Sequence, residues 1–309
     1  MKRIRGAKSR ESNGNRKGFY INGPDFFFVP NKFWLLKELR AGEAQIESID
    51  GRLSLTIGRE FLVPAIREPA EVAYTIIPKP FHFVLSIPNS PLSEIPSDLR
   101  RYIELTSQFL SGAIPAKDYV ASGTFWYSHM RNALKNPFGS IAIPRKFRPY
   151  QRGVSAHYLP GNEGRGQAVA VPMTFYTRCT PDPTSNRAIV AFLNSSPSLA
   201  LRYRDRSWLG AASEEMNGVQ LDQMPILDPT TITKADVRRL STQDLFMHDA
   251  LPDLSEQIRD PTYSEIGREA LDSAVLQILG FEGRHLERIR QGCIEILGRW
   301  IQGIEGVAT

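Results

Sequence analysis

Apolar and polar positions divide the chain into regions of different period. Leu53-Ser54-Leu55-Thr56-Ile57 and Val72-Ala73-Tyr74-Thr75-Ile76-Ile77 alternate as strands do. Prolines at 78, 80, 88, 91 and 96 then punctuate strands and turns. From Leu99 to Leu110, apolar Tyr102, Ile103, Leu105, Phe109 and Leu110 mark an amphipathic helix, with Ser97 or Asp98 as its cap. Residues 140–180 read as a β meander, with one strand at 141–143 and another from Ala168 to Tyr176. Beyond Asn186 the period is helical, with a break expected at Pro197 and continuation over 198–206. A helix over 234–248 follows a Thr233 cap. The stripe Ile266, Ala270, Leu271, Ala274, Val275, Ile278, Leu279 stops at Gly280, a C′ glycine. A second helix carries Leu286, Ile289, Cys293, Ile296, Leu297 and Trp300. The expected fold class is α+β: a mixed, largely antiparallel β-rich domain with helices, followed by a C-terminal helical hairpin. The expected divisions are a disordered basic tail (1–18), a β-rich domain (19–228) and a helical region (229–309).

Charge sharpens this division. The first 18 residues hold seven basic side chains and one acid, a net of +6 within a total of +5, which leaves −1 for residues 19–309. The excess of positive charge therefore belongs to the tail, and nucleic-acid binding by the body requires a local stripe. One such stripe is Arg145-Lys146-Phe147-Arg148-Pro149-Tyr150-Gln151-Arg152, which contains no acid. Arg and Lys there suit phosphates, a bidentate Arg suits guanine, and Gln151 suits adenine. Arg131 and Lys135 are further phosphate candidates, after Trp126-Tyr127. Trp126 itself reads as core, and the arginines at 202, 204 and 206 as a solvated helix end. Arg67 either lines a DNA cleft or pairs with Glu68.

Signals for independent catalysis are missing from the sequence. The five histidines (82, 129, 157, 248, 285) form no metal-ligand spacing. Gly161-Asn162-Glu163-Gly164-Arg165-Gly166 precedes a strand rather than opening a helix, so it reads as a hairpin loop and not a phosphate cradle. No G-x-S-x-G elbow occurs, and no lysine has an acid two positions before it. Asn136-Pro137-Phe138 lacks the second proline of an Asn-Pro-Pro-aromatic motif. No apolar run reaches the roughly 20 residues of a membrane span. Two cysteines, 179 and 293, build no disulfide framework, so a reducing, cytoplasmic setting is expected.

Several segments, taken in order, resemble one family. They are Phe61-Leu62-Val63-Pro64-Ala65-Ile66-Arg67, Phe81 to Pro88, Ile95-Pro96 through Tyr102-Ile103, and Trp126-Tyr127. Next come Ile189-Val190-Ala191-Phe192-Leu193-Asn194-Ser195, Val219 to Ile226, and Leu271-Asp272-Ser273-Ala274-Val275 with Leu279-Gly280. Together they resemble the C-terminal target-recognition region of adenine-specific DNA methyltransferases of restriction–modification systems, over roughly residues 55–300. The resemblance implies binding to a short site on double-stranded DNA. It also implies a partner catalytic subunit, which would hold S-adenosylmethionine and carry out the transfer. The family's Gly-rich cofactor loop and Asn-Pro-Pro-aromatic motif do not occur here, and its glycine-rich stretch is eroded to Leu209-Gly210-Ala211-Ala212-Ser213. A specificity subunit, a split-gene partner and a gene remnant all fit that pattern. A scaffold that docks through its C-terminal helices is the competing reading.

Overall fold

The computed structural model describes residues 4–6, 16–17, 19–20, 24–67, 82–109, 125–128, 130–134, 140–144, 146–147, 154–160, 168–171, 175–178, 182–204, 207–208, 214–215, 220, 224–243, 251–260 and 268–308. The basic N-terminal stretch, read from its sequence as disordered, carries two short strands, and a third follows it. These are β1 (Ile4–Gly6), β2 (Arg16–Lys17) and β3 (Phe19–Tyr20). β1 lies antiparallel to residues 225–227, β2 antiparallel to 176–177, and β3 parallel to 170–171. The tail reading is corrected at these positions. Strands this short have no stability of their own, and their partners lie more than a hundred residues away, beyond any local pattern.

The first core is built on antiparallel strands. Helix α1 (Pro24–Phe27) leads into β4 (Phe28–Val29) and buries Phe26 and Phe27. Strands β5 (Trp34–Leu39), β6 (Glu43–Ser48) and β7 (Ser54–Gly58) form an antiparallel meander. Ala44, Ile46, Leu55 and Ile57 face inward, while Gln45 and Thr56 between them are exposed. This is the alternation expected at 53–57. Strands β8 (Leu62–Ile66) and β9 (His82–Leu85) pair antiparallel, and β4 lies against β9. The strand expected at 72–77 falls outside the described residues. Helix α2 (Ser97–Phe109) forms where the apolar period places it and buries Leu99, Tyr102, Ile103 and Thr106. The Tyr102 hydroxyl donates to the Phe26 carbonyl (2.7 Å) and accepts from Asn31 Nδ2 (3.3 Å). Trp34 Nε1 donates to Thr106 Oγ1 (3.0 Å). Each buried aromatic of this pair thus has a partner for its polar end. The short helix α3 (Met130–Leu134) adds Met130 to the same core.

The second core starts at β10 (Ile141–Pro144), which continues into β11 (Lys146–Phe147). β10 lies between β12 (His157–Tyr158) and β14 (Phe175–Arg178), antiparallel to both, and β2 covers the outer edge of β14. The single strand expected from 168 to 176 is two strands in different sheets. β13 (Ala168–Val171) leaves this sheet and runs parallel to β8 and β3 in the first one. Helix α4 (Pro183–Asn194) starts under an Asp182 cap that accepts from the Thr184 and Ser185 amides. The helical break comes at Ser195, earlier than Pro197. Pro197 lies in the first turn of α5 (Ser196–Arg204), where a missing amide proton has no helical acceptor to lose.

Strands β15 (Ser207–Trp208), β16 (Glu214–Glu215) and β17 (Pro225–Leu227) follow. Helix α6 (Lys234–Ser241) begins with a Thr233/Asp236 capping box but ends seven residues before the expected limit. After α7 (Leu254–Arg259) come α8 (Arg268–Ile278) and α9 (Gly283–Ala308), the expected hairpin. Gly280 has φ +95°, with Phe281 N bonded to Leu276 O and Gly280 N to Gln277 O, a Schellman stop. One core joins Ile141, Ile143, the buried face of α4, Ile226, Leu240, Leu271 and Ile278, so the expected 228/229 boundary falls inside it. The inner face of α9 joins Leu199, Leu254 and Ile258 through Ile294, Leu297 and Trp300. Ile296, placed in the apolar stripe by its spacing, is instead 43% exposed.

Candidate nucleic-acid interface

The basic stretch at 145–152 follows β10 in the sequence, and the buried segment 154–159 comes after it. Its described part is β11, which pairs antiparallel with β16, Lys146 opposite Glu215 and Phe147 opposite Glu214. β16 pairs in turn with β15. The stretch is acid-free in sequence, and the register sets Glu214 and Glu215 on the strand beside it. Arg145, Arg148, Tyr150, Gln151, Arg152 and Lys135 lie outside the described residues, as do His129, Cys179 and the 161–166 loop.

The described residues on either side of this stretch are clamped. Arg202, read from sequence as part of a solvated helix end, is instead buried on α5. Its Nη2 donates to the Pro144 carbonyl (3.0 Å) and its Nη1 reaches the Ser155 carbonyl (3.5 Å). One guanidinium fork thereby ties together Pro144 and Ser155, the described residues on either side of the basic stretch. Asn194 completes the clamp. Its Oδ1 accepts from the amides of Ser155 (2.7 Å) and Ala156 (3.3 Å), and its Nδ2 donates to the carbonyls of Ala156 and Val190 (2.9 Å each).

Two of the family-like motifs meet at this point. Ser195 caps α5 by accepting from Ser198 N (3.4 Å), and Asp272 Oδ1 on α8 accepts from Ser196 N (2.7 Å). A carboxylate at a helix N-terminus is favourably placed in the helix dipole. Burial pushes the Asp272 carboxyl above its ordinary value, against the pull of Arg268 and of the Ser196 bonds. The Arg268 fork binds Gln257 Oε1, the Asn194 carbonyl (3.1 Å) and Ser196 Oγ (3.3 Å). Sequence signals for this hub were present only as the fragments Asn194-Ser195 and Leu271-Asp272.

The other candidates divide. Arg131 lies on α3 with an exposed side chain. Arg67 does not stand open. Its Nη2 meets Asp25 Oδ1 at 3.0 Å, and its guanidinium lies 5.5 Å from the Phe28 ring centroid. Burial works against the Asp25 charge, but hydrogen bonds from Lys32 and Arg67 outweigh it and hold that carboxyl below its ordinary value. Trp126 is half-buried against Phe26, with ring centroids 4.8 Å apart, in keeping with its reading as core. Phe125 beside it is exposed, and no sequence period marked it. Cys293 is half-buried, and burial pushes its thiol up to about 11, away from reactivity. Among the described residues no group of His, Cys, Asp or Glu could hold a metal ion, and no helix is long and apolar enough to cross a membrane.

No family model and no curated protein matches the chain. The α+β arrangement has a counterpart among solved structures. It is similar to the type IIG restriction endonuclease BpuSI at a TM-score of 0.54 and 14% identity, over 79% of this chain and 26% of that one. Likeness at that identity is a likeness of fold. The chain spans about a quarter of its neighbour's length, 26%.

Proposed function

We propose that the chain is the DNA-specificity module of a restriction–modification adenine methyltransferase and acts in the cytoplasm with a separately encoded catalytic subunit. The observation that carries this reading is the fold shared with part of a type IIG restriction endonuclease, found for a chain whose ordered motifs resemble a target-recognition region. In this reading Arg145, Lys146, Arg148, Tyr150, Gln151 and Arg152 contact DNA, with Arg131 and Lys135 on flanking phosphates. Arg202 and Asn194 fix the base of that stretch. Phosphate contacts set register and one or two side chains specify bases. The partner holds S-adenosylmethionine and extrudes the target adenine, at a cost of about a few kcal/mol of unstacking.

The scaffold reading loses its motive, because the apolar faces of α8 and α9 are used inside the chain. The test is selection from a pool of duplexes at two salt concentrations, with and without a methyltransferase partner. The expected result is a preferred site and a salt-dependent affinity. Binding without preference in both conditions would sink the proposal.

A further inference from the structure

We infer that the Phe125 ring is a stacking platform for a nucleobase of the bound DNA; this rests on the DNA-binding reading above. Phe125 is 37% exposed, and its ring and backbone both have partners. One side of its ring lies against Tyr127, with centroids 5.4 Å apart and planes 9° from parallel. Tyr127 is itself buried, and its hydroxyl donates to the Ser90 carbonyl (2.6 Å).

The turn beneath the ring is fixed twice. Asn89 Oδ1 accepts from the Phe125 amide (2.9 Å) and from Ser128 Oγ (2.7 Å), and Ser128 Oγ also reaches the Phe125 carbonyl (2.8 Å). Ordering an aromatic in advance removes the entropic cost of ordering it on binding. An aromatic face stacks on any base, whatever its sequence. Exposed Arg131, six residues on in α3, supplies the cation that a neighbouring phosphate needs. Aromatic and cation together fit a nucleotide better than an apolar protein surface.

The test uses the full chain and two labelled duplexes, one fully paired and one carrying a single extrahelical adenine, with affinity read by anisotropy across a salt series. Phe125→Ala should weaken binding to the second duplex by about tenfold or more. The slope of log affinity against log salt should not change. Phe125→Trp should restore affinity, and its added fluorescence should be quenched on binding. Arg131→Glu should instead lower the slope, by about 0.9 for each lost phosphate contact. If Phe125→Ala binds both duplexes as the parent does, the platform is refuted, and the exposed ring serves a protein partner or none. If the parent chain binds neither duplex, the DNA-binding reading itself fails and the platform falls with it.

Discussion

Asn194→Ala removes the clamp at the centre of the second core. The side chain satisfies two amides, Ser155 N and Ala156 N, and the Ala156 carbonyl, all within a buried segment. Val190 O also accepts from Asn194, but it belongs to the α4 ladder and keeps a helical partner. Three buried backbone groups therefore lose their partner, at about 1–3 kcal/mol each. Water entering the vacated volume relieves part of this, leaving a loss of about 3–5 kcal/mol. That is a large share of a typical total of roughly 5–15 kcal/mol. The assay is urea unfolding followed by far-ultraviolet circular dichroism, with the midpoint falling at an unchanged slope. Asn194→Leu restores volume without restoring bonds, so it should recover little. A loss below about 1 kcal/mol in Asn194→Ala would refute the clamp, because that is the worth of one ordinary hydrogen bond.

Four further outcomes follow from the geometry. Arg202→Lys keeps the charge but not the fork, so sequence preference should fall in a selection experiment while the salt slope holds. Burial pushes the Tyr102 phenol above its ordinary value of 10.0, so its stabilising effect is complete below the unfolded value and lost as pH rises past it. In a tyrosinate absorbance titration, one phenol should ionise only with unfolding, and Tyr102→Phe should remove that step and cost about 1–2 kcal/mol. Asp25 is displaced the other way, so its contribution is present above the unfolded carboxylate value and lost as pH falls through the folded one. Asp25→Asn should flatten the acid limb of a stability–pH profile. Gly280→Ala meets open space but must adopt φ +95°, and should cost about 1 kcal/mol in thermal unfolding.

Elements with a local cause were legible in the sequence. The 53–57 alternation, the 97–109 helix, the Thr233 cap and the Gly280 stop each depend on residues within a few positions of one another. What escaped depends on distant partners. β1 and β2 are strands only because β17 and β14 accept them. Arg67 finds Asp25 42 residues upstream, where the sequence left a DNA cleft and Glu68 as the alternatives. Arg202 looked solvated because its neighbours are charged, and its acceptors, two carbonyls at 144 and 155, have no sequence signature. Ile296 fits the helical period but lies on a face of α9 that no described element covers.

β13 has a consequence for modularity. It belongs by sequence to the second half, yet it is a rung of the first sheet, Ala168 beside Ala65 and Val169 beside Ile66. The halves are interlocked rather than strung together. Fragments cut between α3 and β10 should each lack a strand and regain it only by reassociating. Any recombination that exchanged one half for that of a relative would have to match the β8–β13 register across the seam. Under the proposed function, new specificities would therefore arise more readily by changing loops than by shuffling halves.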